Sequence, residues 1–273
     1  MRERSQNFDP RQHMQARTFE IFHYKEPRPA DVEVHHHDFY EVYHLLEGHV
    51  DYWVEGQILS MEAGDLLLIN PMELHRPMIS HEKQTYERIV LWIDREYLQN
   101  LSPELCACFE SSDHVHLIRQ GAGKVSVHLR DLVREYYSSD ACSTFAAQGI
   151  FLQFMSQLNR LSAKSSSQEG RQQSPLIQTA LQYIADNISE ELSLEKLAAA
   201  CYVSKYYLSH AFTKEVGVSI YRYILLRRLL LARQLLAAGE PAGSVCRSCG
   251  FTDYTSFYRA FRSEYGISPK NAK

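Results

Sequence analysis

An internal repeat near the carboxyl end of this 273-residue chain limits its fold more than any other feature. One set of positions recurs 48 residues further along, where Leu197, Ala198, Cys201 and Val203 are followed by Val245, Cys246, Cys249 and Phe251. A second set recurs after 49 residues, where Leu208, Ala211, Phe212, Gly217 and Ser219 are followed by Phe257, Ala260, Phe261, Gly266 and Ser268. We therefore expect two copies of one small structural unit.

Each copy has the pattern of a short helix, a tight turn and a second helix. The second helix begins after a capping residue, which is Ser204 in the first copy and Thr252 or Asp253 in the second, and it ends near a glycine. This pattern is typical of the helix-turn-helix, whose second helix enters the DNA major groove. The repeat thus predicts two helix-turn-helix units in tandem.

The segment between the copies, Ser219 to Ala238, predicts one apolar helix that carries Arg222, Arg227, Arg228 and Arg233. Such a helix holds the two units at a fixed separation. If that separation is about one turn of DNA, roughly 34 Å, both second helices enter successive major grooves on one face of a duplex. The expected footprint is about 20 base pairs, and the DNA bends where the fit is imperfect.

Charge divides the chain near the start of the repeat. From Pro175 to Lys273 there are 12 Lys and Arg against 8 Asp and Glu, a net charge of +4. Residues 1–174 carry the remaining 17 against 25, a net charge of −8. A basic module joined to an acidic one is compatible with a nucleic-acid-binding unit and a separate regulatory unit. An ordinary solvated surface is the alternative explanation of the +4.

A polar stretch joins the two parts. Residues 162–174 are rich in Ser and Gln and contain no large apolar side chain, so they bury too little surface to offset the entropy of ordering. We expect a flexible linker at 162–174, between an effector-binding and dimerisation domain at 1–161 and a DNA-binding domain at 175–273.

The first part predicts an antiparallel β structure followed by two helices. Short runs rich in Val, Ile, Leu, Tyr and Trp between Phe19 and Ile93 alternate with turn signals, which is typical of a sandwich or barrel. Residues 122–140 and 142–163 have apolar residues at helical spacing. These two helices either pack against their own domain or form a homodimer interface. The predicted fold class is therefore α+β, with an antiparallel barrel and a helical pair ahead of an all-α domain.

The predicted barrel contains four possible metal ligands: His35, His37, Glu41 and His75. His35 and His37 share one face of an extended chain because side chains alternate. Three imidazoles and a carboxylate suit zinc, iron, manganese or nickel. The spacing of these residues to Gly48 resembles the first motif of the cupin family. The second motif is matched only in part, with Glu73 at a usual glycine and His75 one residue early.

The cupin resemblance implies a small barrel that holds one ligand. The residues expected to bind this effector offer the aromatic and polar groups that sugars favour: His35, His37, Glu41, Tyr43, His75, Arg88 and Trp92. No cofactor is required. A divalent metal held by His35, His37, Glu41 and His75 is the alternative occupant.

Composition and termini argue against several classes of protein. The most apolar stretch, Ile220 to Leu236, contains four arginines and predicts no membrane span. The charged N-terminus, Met1 to Phe8, has no apolar core ahead of a cleavage site, so no secretory signal is expected and the predicted location is the cytoplasm. The six cysteines are then expected to be reduced and to act as small buried hydrophobes.

Residues 175–273 resemble the AraC/XylS-type transcription-regulator domain. The second half of that domain runs Gly-Phe, a polar stretch, an aromatic, an Arg and Phe-Lys/Arg, then Gly-x-Ser-Pro, and this chain matches it at Gly250 to Arg262 and Gly266 to Pro269. The linking helix also has the family's Arg228, Ala232, Leu235 and Leu236. One departure is Tyr202, where the family often has a glycine in the first turn, so the sequence leaves the path of that turn open.

Carried over position by position, the resemblance implies eight DNA contacts: Lys205, Tyr206, Ser209 and His210 in the first unit, and Tyr254, Thr255, Tyr258 and Arg259 in the second. Arg259 is expected to bind guanine or phosphate. The residues expected to face the core are Leu208, Phe212, Phe257 and Phe261. For Tyr206, Tyr254 and Tyr258, packing between helices is the alternative interpretation.

The leading hypothesis is a ligand-responsive, sequence-specific DNA-binding transcription regulator that is not an enzyme. Its expected partners are double-stranded DNA, a small effector such as a sugar, a second copy of the chain and, if it activates transcription, RNA polymerase; no membrane partner is expected. The alternatives are a metal-dependent cupin enzyme with an appended helical domain and a pure dimerisation or scaffold protein.

Overall fold

The computed structural model describes residues 13–26, 32–79, 85–109, 115–119, 123–164 and 171–272. The chain divides into two compact units, Met1–Gln172 and Gln173–Lys273. Residues 165–170 of the predicted linker, like Met1 to Phe8, lie outside the described residues. Arg171–Gln172, which the sequence analysis placed in the linker, instead form a short strand. That strand arises from backbone pairing with Gln57 and Ile58, which a polar composition does not predict.

The first unit is built from antiparallel strands: β1 (Phe19–Glu26), β2 (Tyr40–Glu47), β3 (His49–Val54), β4 (Gln57–Glu62), β5 (Leu66–Ile69), β6 (His75–Met78), β7 (Tyr86–Ile93), β8 (Val115–Ile118) and β9 (Arg171–Gln172). Within the described ranges the strands form two sheets, ordered β1-β7-β2-β5-β8 and β6-β3-β4-β9. The prediction of an antiparallel β domain is confirmed.

Strand β2 shows how side-chain alternation divides the first unit into two cores. Tyr43 and Leu45 lie in the core between the two sheets. Tyr40 and Val42 point the other way, into a core on the outer face of the first sheet. Because both faces of the strand are buried, its sequence lacks the regular apolar and polar alternation of a half-exposed strand.

Helices cover the outer face of the first sheet. They are α1 (Arg95–Leu101), α2 (Gly123–Tyr136) and α3 (Ser143–Ser162). Leu129 of α2 and Phe151 and Phe154 of α3 are fully buried in the core on this face. Most of the apolar surface of the helical pair is therefore used within its own domain. On α3, Phe145 remains 75% exposed and Leu152 44% exposed.

The second unit is helical throughout its main elements, which are α4 (Pro175–Asp186), α5 (Leu194–Ala200), α6 (Lys205–Val216), α7 (Ile220–Ala237), α8 (Ala242–Ser248) and α9 (Tyr254–Tyr265). The predicted linking helix is α7, and Ser219 caps it by accepting a hydrogen bond from the Arg222 N–H. The predicted all-α tandem helix-turn-helix domain is confirmed.

Helix α7 packs against both copies of the repeat. Its Leu229 and Leu236 share a core with Phe257 and Phe261 of α9. Near its start, the Tyr223 ring lies edge-on to Phe212 of α6, with ring centroids 5.5 Å apart. The apolar residues between the arginines of α7 thus form the common core of the unit.

Candidate DNA interface and effector site

The turns of the two helix-turn-helix units have matching backbone hydrogen bonds. In the first turn three successive N–H groups donate to carbonyls of α5: Cys201 to Leu197 (3.0 Å), Tyr202 to Ala199 (3.1 Å) and Val203 to Ala198 (3.1 Å). In the second turn the donors and acceptors are the residues 48 positions later: Cys249 to Val245 (2.9 Å), Gly250 to Arg247 (3.0 Å) and Phe251 to Cys246 (3.1 Å). The repeat of sequence is therefore a repeat of structure.

Tyr202 and Gly250 occupy the same place in the two turns, and both have a left-handed backbone, with φ of 56° and 74°. At Gly250 the glycine is also required for space, because a Cβ would lie 2.7 Å from Ile188 O and 2.8 Å from Arg228 Nη2. Tyr202 is 96% exposed, so its side chain meets no such obstacle. The path of the first turn, which the sequence left open, follows that of the second.

A side chain caps the start of each recognition helix, α6 and α9. Ser204 Oγ accepts a hydrogen bond from Tyr207 N at 3.3 Å, and Asp253 Oδ1 accepts one from Ser256 N at 2.8 Å. Of the two candidates in the second copy, Asp253 is the cap. Hydrogen bonds from Ser256 lower the pKa of Asp253, so the carboxylate is charged at the helix N-terminus, where negative charge is favourable.

The predicted DNA contacts lie at or near the surface of α6 and α9. Exposed members are Lys205, Tyr206, His210, Tyr254, Thr255 and Arg259, and half-buried members are Ser209 and Tyr258. The four residues predicted to face the core, Leu208, Phe212, Phe257 and Phe261, are fully buried. Tyr206 is 80% exposed, whereas Tyr254 also packs on Phe257, with ring centroids 5.8 Å apart.

Two braces, formed by Arg228 and by Ser189, fasten the repeat units together. Arg228 Nε donates to Ile188 O at 3.1 Å, and its Nη2 donates to Glu190 O at 2.6 Å. Ser189 Oγ donates to Ser248 O at 2.7 Å. The braces connect the segment between α4 and α5 with α7 and with the end of α8. The two helix-turn-helix units are therefore joined by side-chain hydrogen bonds as well as by α7.

Two exposed tyrosines that were not predicted from the sequence lie beside the predicted contacts: Tyr202 in the first turn and Tyr207 on α6. The sequence did contain a sign that Tyr202 is exposed, since a large aromatic residue stands where the family often has a glycine. Tyr207 carried none, because an amphipathic helix pattern does not distinguish a groove-facing side chain from one on the neighbouring face.

In the first unit, three of the four predicted metal ligands come together. The candidate ligand atoms of His37, Glu41 and His75 lie within 4.8 Å of one another, and all three side chains are buried. His37 Nε2 is 3.4 Å from Glu41 Oε2. His35 is adjacent, with its ring centroid 4.3 Å from that of His75 and 6.2 Å from that of His37, but it is not part of this group of three.

Backbone carbonyls fix the tautomer of each imidazole. The Nδ1 atoms contact carbonyl oxygens two residues away: His35 with Glu33 (2.8 Å), His37 with Phe39 (2.9 Å) and His75 with Glu73 (2.8 Å). Because a carbonyl only accepts, each Nδ1 carries the proton, and Nε2 of the neutral ring has a lone pair. Burial, with the charge of His37, lowers the pKa of His35 to about 4. Burial, with the charge of His35, lowers the pKa of His75 well below its usual value.

Trp92 positions the carboxylate of Glu41. The two residues face each other on β7 and β2, and Trp92 Nε1 donates to Glu41 Oε2 at 2.8 Å. Burial alone would raise the pKa of Glu41, but the hydrogen bond and charge of His37 lower it below its usual value. Glu41 is therefore a charged, buried carboxylate.

The remaining predicted effector residues lie among aromatic side chains of the core between the sheets. The Arg88 guanidinium lies over the rings of Tyr24 (4.7 Å) and Tyr86 (4.6 Å) and pairs with Glu26 at 3.2 Å. The Tyr43 hydroxyl contacts that of Tyr86, and burial raises the pKa of Tyr43 well above its usual value. These groups give the inside of the barrel a lining that is both aromatic and polar.

The residues present fit a divalent transition metal. Nε2 of His75 is buried and has no hydrogen-bond partner among the described residues, which is costly for a polar atom without a ligand. Two imidazole nitrogens and a carboxylate are a common donor set for such metals. The Nδ1 contacts with carbonyls are the outer hydrogen bonds that metal-binding histidines usually make.

Comparison with known proteins accounts for both units. Residues 22–185 match the AraC-like ligand binding domain, and residues 197–273 match a helix-turn-helix domain. The HTH-type transcriptional activator RhaS of Escherichia coli O139:H28 is 26% identical over 260 residues, which are 91% of this chain and 90% of that protein. The probable transcriptional regulator LumQ of Photobacterium leiognathi is 33% identical over 88 residues, which are 32% of this chain and 36% of that protein.

One solved structure similar along most of the chain is fatty-acid-bound ToxT of Vibrio cholerae, with a TM-score of 0.42 and 14% identity over 94% of this chain and 95% of that one. Within the described part of the chain, none of the helices combines the length and apolar character needed to cross a bilayer. The ligand-binding match covers more than half of the chain, and the helix-turn-helix match covers the repeat. The chain therefore belongs to the AraC/XylS family of transcription regulators, with an AraC-like ligand-binding domain followed by a helix-turn-helix DNA-binding domain.

Proposed function

We propose that this regulator recognises one specific operator through α6 and α9 together and responds to a small molecule bound inside its barrel. The observation that carries the proposal is the pair of turns with matching hydrogen bonds, each followed by a capped helix with exposed polar side chains. Helix α7 and the two braces support simultaneous binding, because they join the two recognition helices within one helical unit.

The effector that this proposal favours is a small polar molecule such as a sugar. Sugars combine apolar ring faces with hydroxyl groups, and the residues assigned to the effector offer aromatic rings beside hydrogen-bonding groups: His35, His37, Glu41, Tyr43, His75, Arg88 and Trp92. Small barrels commonly hold one ligand of this size. A screen of sugars for a shift in DNA affinity at one salt concentration tests the assignment.

The proposal includes a homodimer formed through the helical pair, with exposed Phe145 and Leu152 of α3 in the interface. Sedimentation of the full chain measures the oligomeric state.

The proposed place of action is the cytoplasm, and RNA polymerase is the further partner if the effect is activation. The alternative of a metal-dependent cupin enzyme is not supported, since RhaS and LumQ are both named as transcriptional regulators.

The test begins with the full chain and fragments of its host genome, from which the bound sequences are selected. Replacing Arg259 with Ala should then weaken binding to the selected operator by about 1–3 kcal/mol, because the side chain loses a guanine or phosphate contact. Arg95→Ala, an exposed arginine of the first unit, is the matched control and should leave the affinity unchanged. All affinities are compared at one salt concentration, since phosphate contacts make them depend on salt.

Two results would contradict the proposal. One is the absence of any enriched sequence among the bound fragments. The other is an equal effect of Arg259→Ala and Arg95→Ala on affinity, since α9 would then make no contact of its own with the operator.

A further inference from the structure

The surface at the start of the first recognition helix carries three large aromatic side chains. Tyr202 is 96% exposed, and Tyr206 and Tyr207 are exposed as well. A folded chain commonly leaves single apolar residues at its surface, but a group of neighbouring exposed rings is typical of a binding surface. Tyr206 is among the eight predicted DNA contacts. Tyr202, in the turn before α6, has no role in that set.

The internal repeat shows that the fold does not require a side chain at position 202. Both turns have the left-handed backbone at this place, with φ of 56° at Tyr202 and 74° at Gly250. Glycine adopts this conformation without strain, whereas a tyrosine adopts it only with strain. The matching hydrogen bonds of the turns involve main-chain atoms alone, so a glycine would form the first turn as well as it forms the second.

Packing within the chain does not account for Tyr202 either. A side chain that is 96% exposed removes almost no apolar surface from water, and removal of that surface is what makes burial favourable. Backbone strain that the local structure does not require is typical of residues that serve a binding or catalytic site. The ring and hydroxyl of Tyr202 are therefore available to a partner outside the chain.

The position of Tyr202 and the charge of the surrounding unit favour DNA as that partner. In a helix-turn-helix bound to DNA, the N-terminal residues of the second helix contact base edges and the first helix crosses the DNA backbone. The turn at residues 201–204 joins these two helices, so it lies where the chain passes from the backbone to the groove. Residues 196–273 carry 12 Lys and Arg against 4 Asp and Glu, an excess that favours a polyanion.

The chemistry of tyrosine suits a phosphate oxygen. The phenolic hydroxyl is a hydrogen-bond donor, and tyrosine is among the side chains that donate to DNA phosphates. Such contacts fix the register of a protein on the duplex without reading its sequence. Gly250 has no side chain with which to make the equivalent contact in the second unit.

We propose that the hydroxyl of Tyr202 donates a hydrogen bond to one phosphate of the operator, beside the DNA segment that α6 contacts. This inference rests on the proposed function, because it requires α6 to lie in the major groove. It adds a residue that positions the first recognition helix to those that contact bases. The contact belongs to the first unit alone, so the two units are held on the DNA backbone in different ways.

The first test removes the hydroxyl from the full chain. Tyr202→Phe should weaken binding to the selected operator about 10-fold, since a hydrogen bond to a charged group is lost. Tyr97→Phe is the matched control, because it removes a hydroxyl from α1 of the first unit, and it should leave the affinity unchanged. Equal affinities of Tyr202→Phe and the unmodified chain would overturn the proposal.

Tyr202→Gly separates the contact from the fold. This variant should lose at least as much affinity as Tyr202→Phe, although glycine relieves the strain of the turn. Denaturant unfolding of the same preparation should show no loss of stability. Unchanged operator affinity in Tyr202→Gly would overturn the proposal, since the whole side chain would then be dispensable for binding.

A scan of the operator identifies the phosphate. Each phosphate in turn is replaced by an uncharged methylphosphonate, and the affinities of the unmodified chain and of Tyr202→Phe are measured for each duplex at one salt concentration. At one phosphate the two losses should not multiply, because both changes remove the same hydrogen bond. Losses that multiply at every phosphate would overturn the proposal.

Arg259→Ala, measured beside these variants, separates this inference from the proposed function. A loss of affinity in Arg259→Ala with none in Tyr202→Phe would overturn the phosphate contact alone. A loss in Tyr202→Phe with none in Arg259→Ala would support the phosphate contact and contradict the proposed function, in which α6 and α9 bind together.

Discussion

Tyr202 and Gly250 show how two different residues hold one backbone conformation. For a residue with a side chain, the left-handed backbone conformation costs roughly 1–2 kcal/mol of conformational energy. Glycine adopts it without this cost. In the first turn Tyr202 carries this strain, and its exposed ring has space around it. In the second turn the glycine is indispensable, because Ile188 O and Arg228 Nη2 occupy the place of a side chain.

Removing the side chain in the first turn and adding one in the second should therefore change the free energy of unfolding in opposite directions. Tyr202→Gly should stabilise the chain by about 0.5 kcal/mol, since relief of strain slightly exceeds the added entropy of the unfolded chain. Gly250→Ala should destabilise it by at least about 2 kcal/mol through strain and overlap. Midpoints of denaturant unfolding give both values. Destabilisation by both changes would show that the Tyr202 ring contributes packing that its exposure does not suggest.

His44 is a buried histidine that connects β2 with α2. Its Nδ1 donates to Asp65 O at 3.1 Å, and its Nε2 accepts from Ser126 Oγ at 2.9 Å. Burial lowers the pKa of His44; the charge of Arg130 lowers it further, and the Asp65 carbonyl and carboxylate oppose the shift. Arg119 in turn pairs with Asp65 at 2.8 Å. The folded chain thus holds His44 neutral.

This environment predicts a loss of stability in acid. Unfolded His44 titrates near pH 6.5, and folded His44 titrates lower, so below pH 6.5 the unfolded chain binds a proton that the folded chain does not. Stability should fall as the pH drops from 6.5 towards the folded pKa. Thermal unfolding at pH 7 and pH 5 measures the fall, which His44→Gln should reduce. An equal fall in the variant would assign the acid sensitivity to other groups.

At the level of elements, the start of each recognition helix depends on one side-chain hydrogen bond. Ser204→Ala removes the acceptor of the Tyr207 N–H and should cost about 1 kcal/mol of unfolding free energy. Ser204→Asp should preserve the cap. Thr213→Ala, at an exposed position within α6, is the control and should cost nothing. A cost of Ser204→Ala no larger than that of the control would mean that the helix start is held by tertiary packing alone.

Most helices of the second unit could be predicted from sequence, because apolar spacing and caps act locally. The linking helix differs from its predicted bounds, Ser219 to Ala238, only in that the end residues are its caps. Two features needed the structure. The choice between Thr252 and Asp253 depends on the geometry of one turn, and the conformation of Tyr202 depends on a φ angle that residue type does not set.

The β domain was harder to predict in detail than the helical one. Its antiparallel class followed from short runs and turns, but β9 is fixed by pairing with β4 across a long stretch of chain. Sequence spacing placed His35 and His37 on one face, yet only His37 lies within 4.8 Å of both Glu41 and His75. Both histidines lie in the irregular segment before β2, whose path the spacing along the chain does not determine.

For the whole molecule, the two braces imply that the operator must match a fixed spacing. The insertion of about 5 base pairs, half a helical turn, between the DNA segments proposed to contact α6 and α9 should reduce affinity to the non-specific level. This is a loss of roughly 1,000-fold or more. The same insertion outside the half-sites is the control and should have no effect. Gel-shift titrations at one salt concentration measure both. Retained affinity after the first insertion would mean that the two helix-turn-helix units change their relative orientation despite the hydrogen bonds of Arg228 and Ser189.

The matching hydrogen bonds of the two turns involve only main-chain atoms, so they place no demand on which side chains the neighbouring helices present. The copies have diverged accordingly: α6 begins Lys-Tyr-Tyr and α9 begins Tyr-Thr-Ser. With α6 and α9 both bound to DNA, as proposed, the two halves of the operator would differ in sequence, and the operator would have a direction. Inverting such an operator beside a promoter would reverse the bound chain, so we expect regulation to depend on the orientation of the operator.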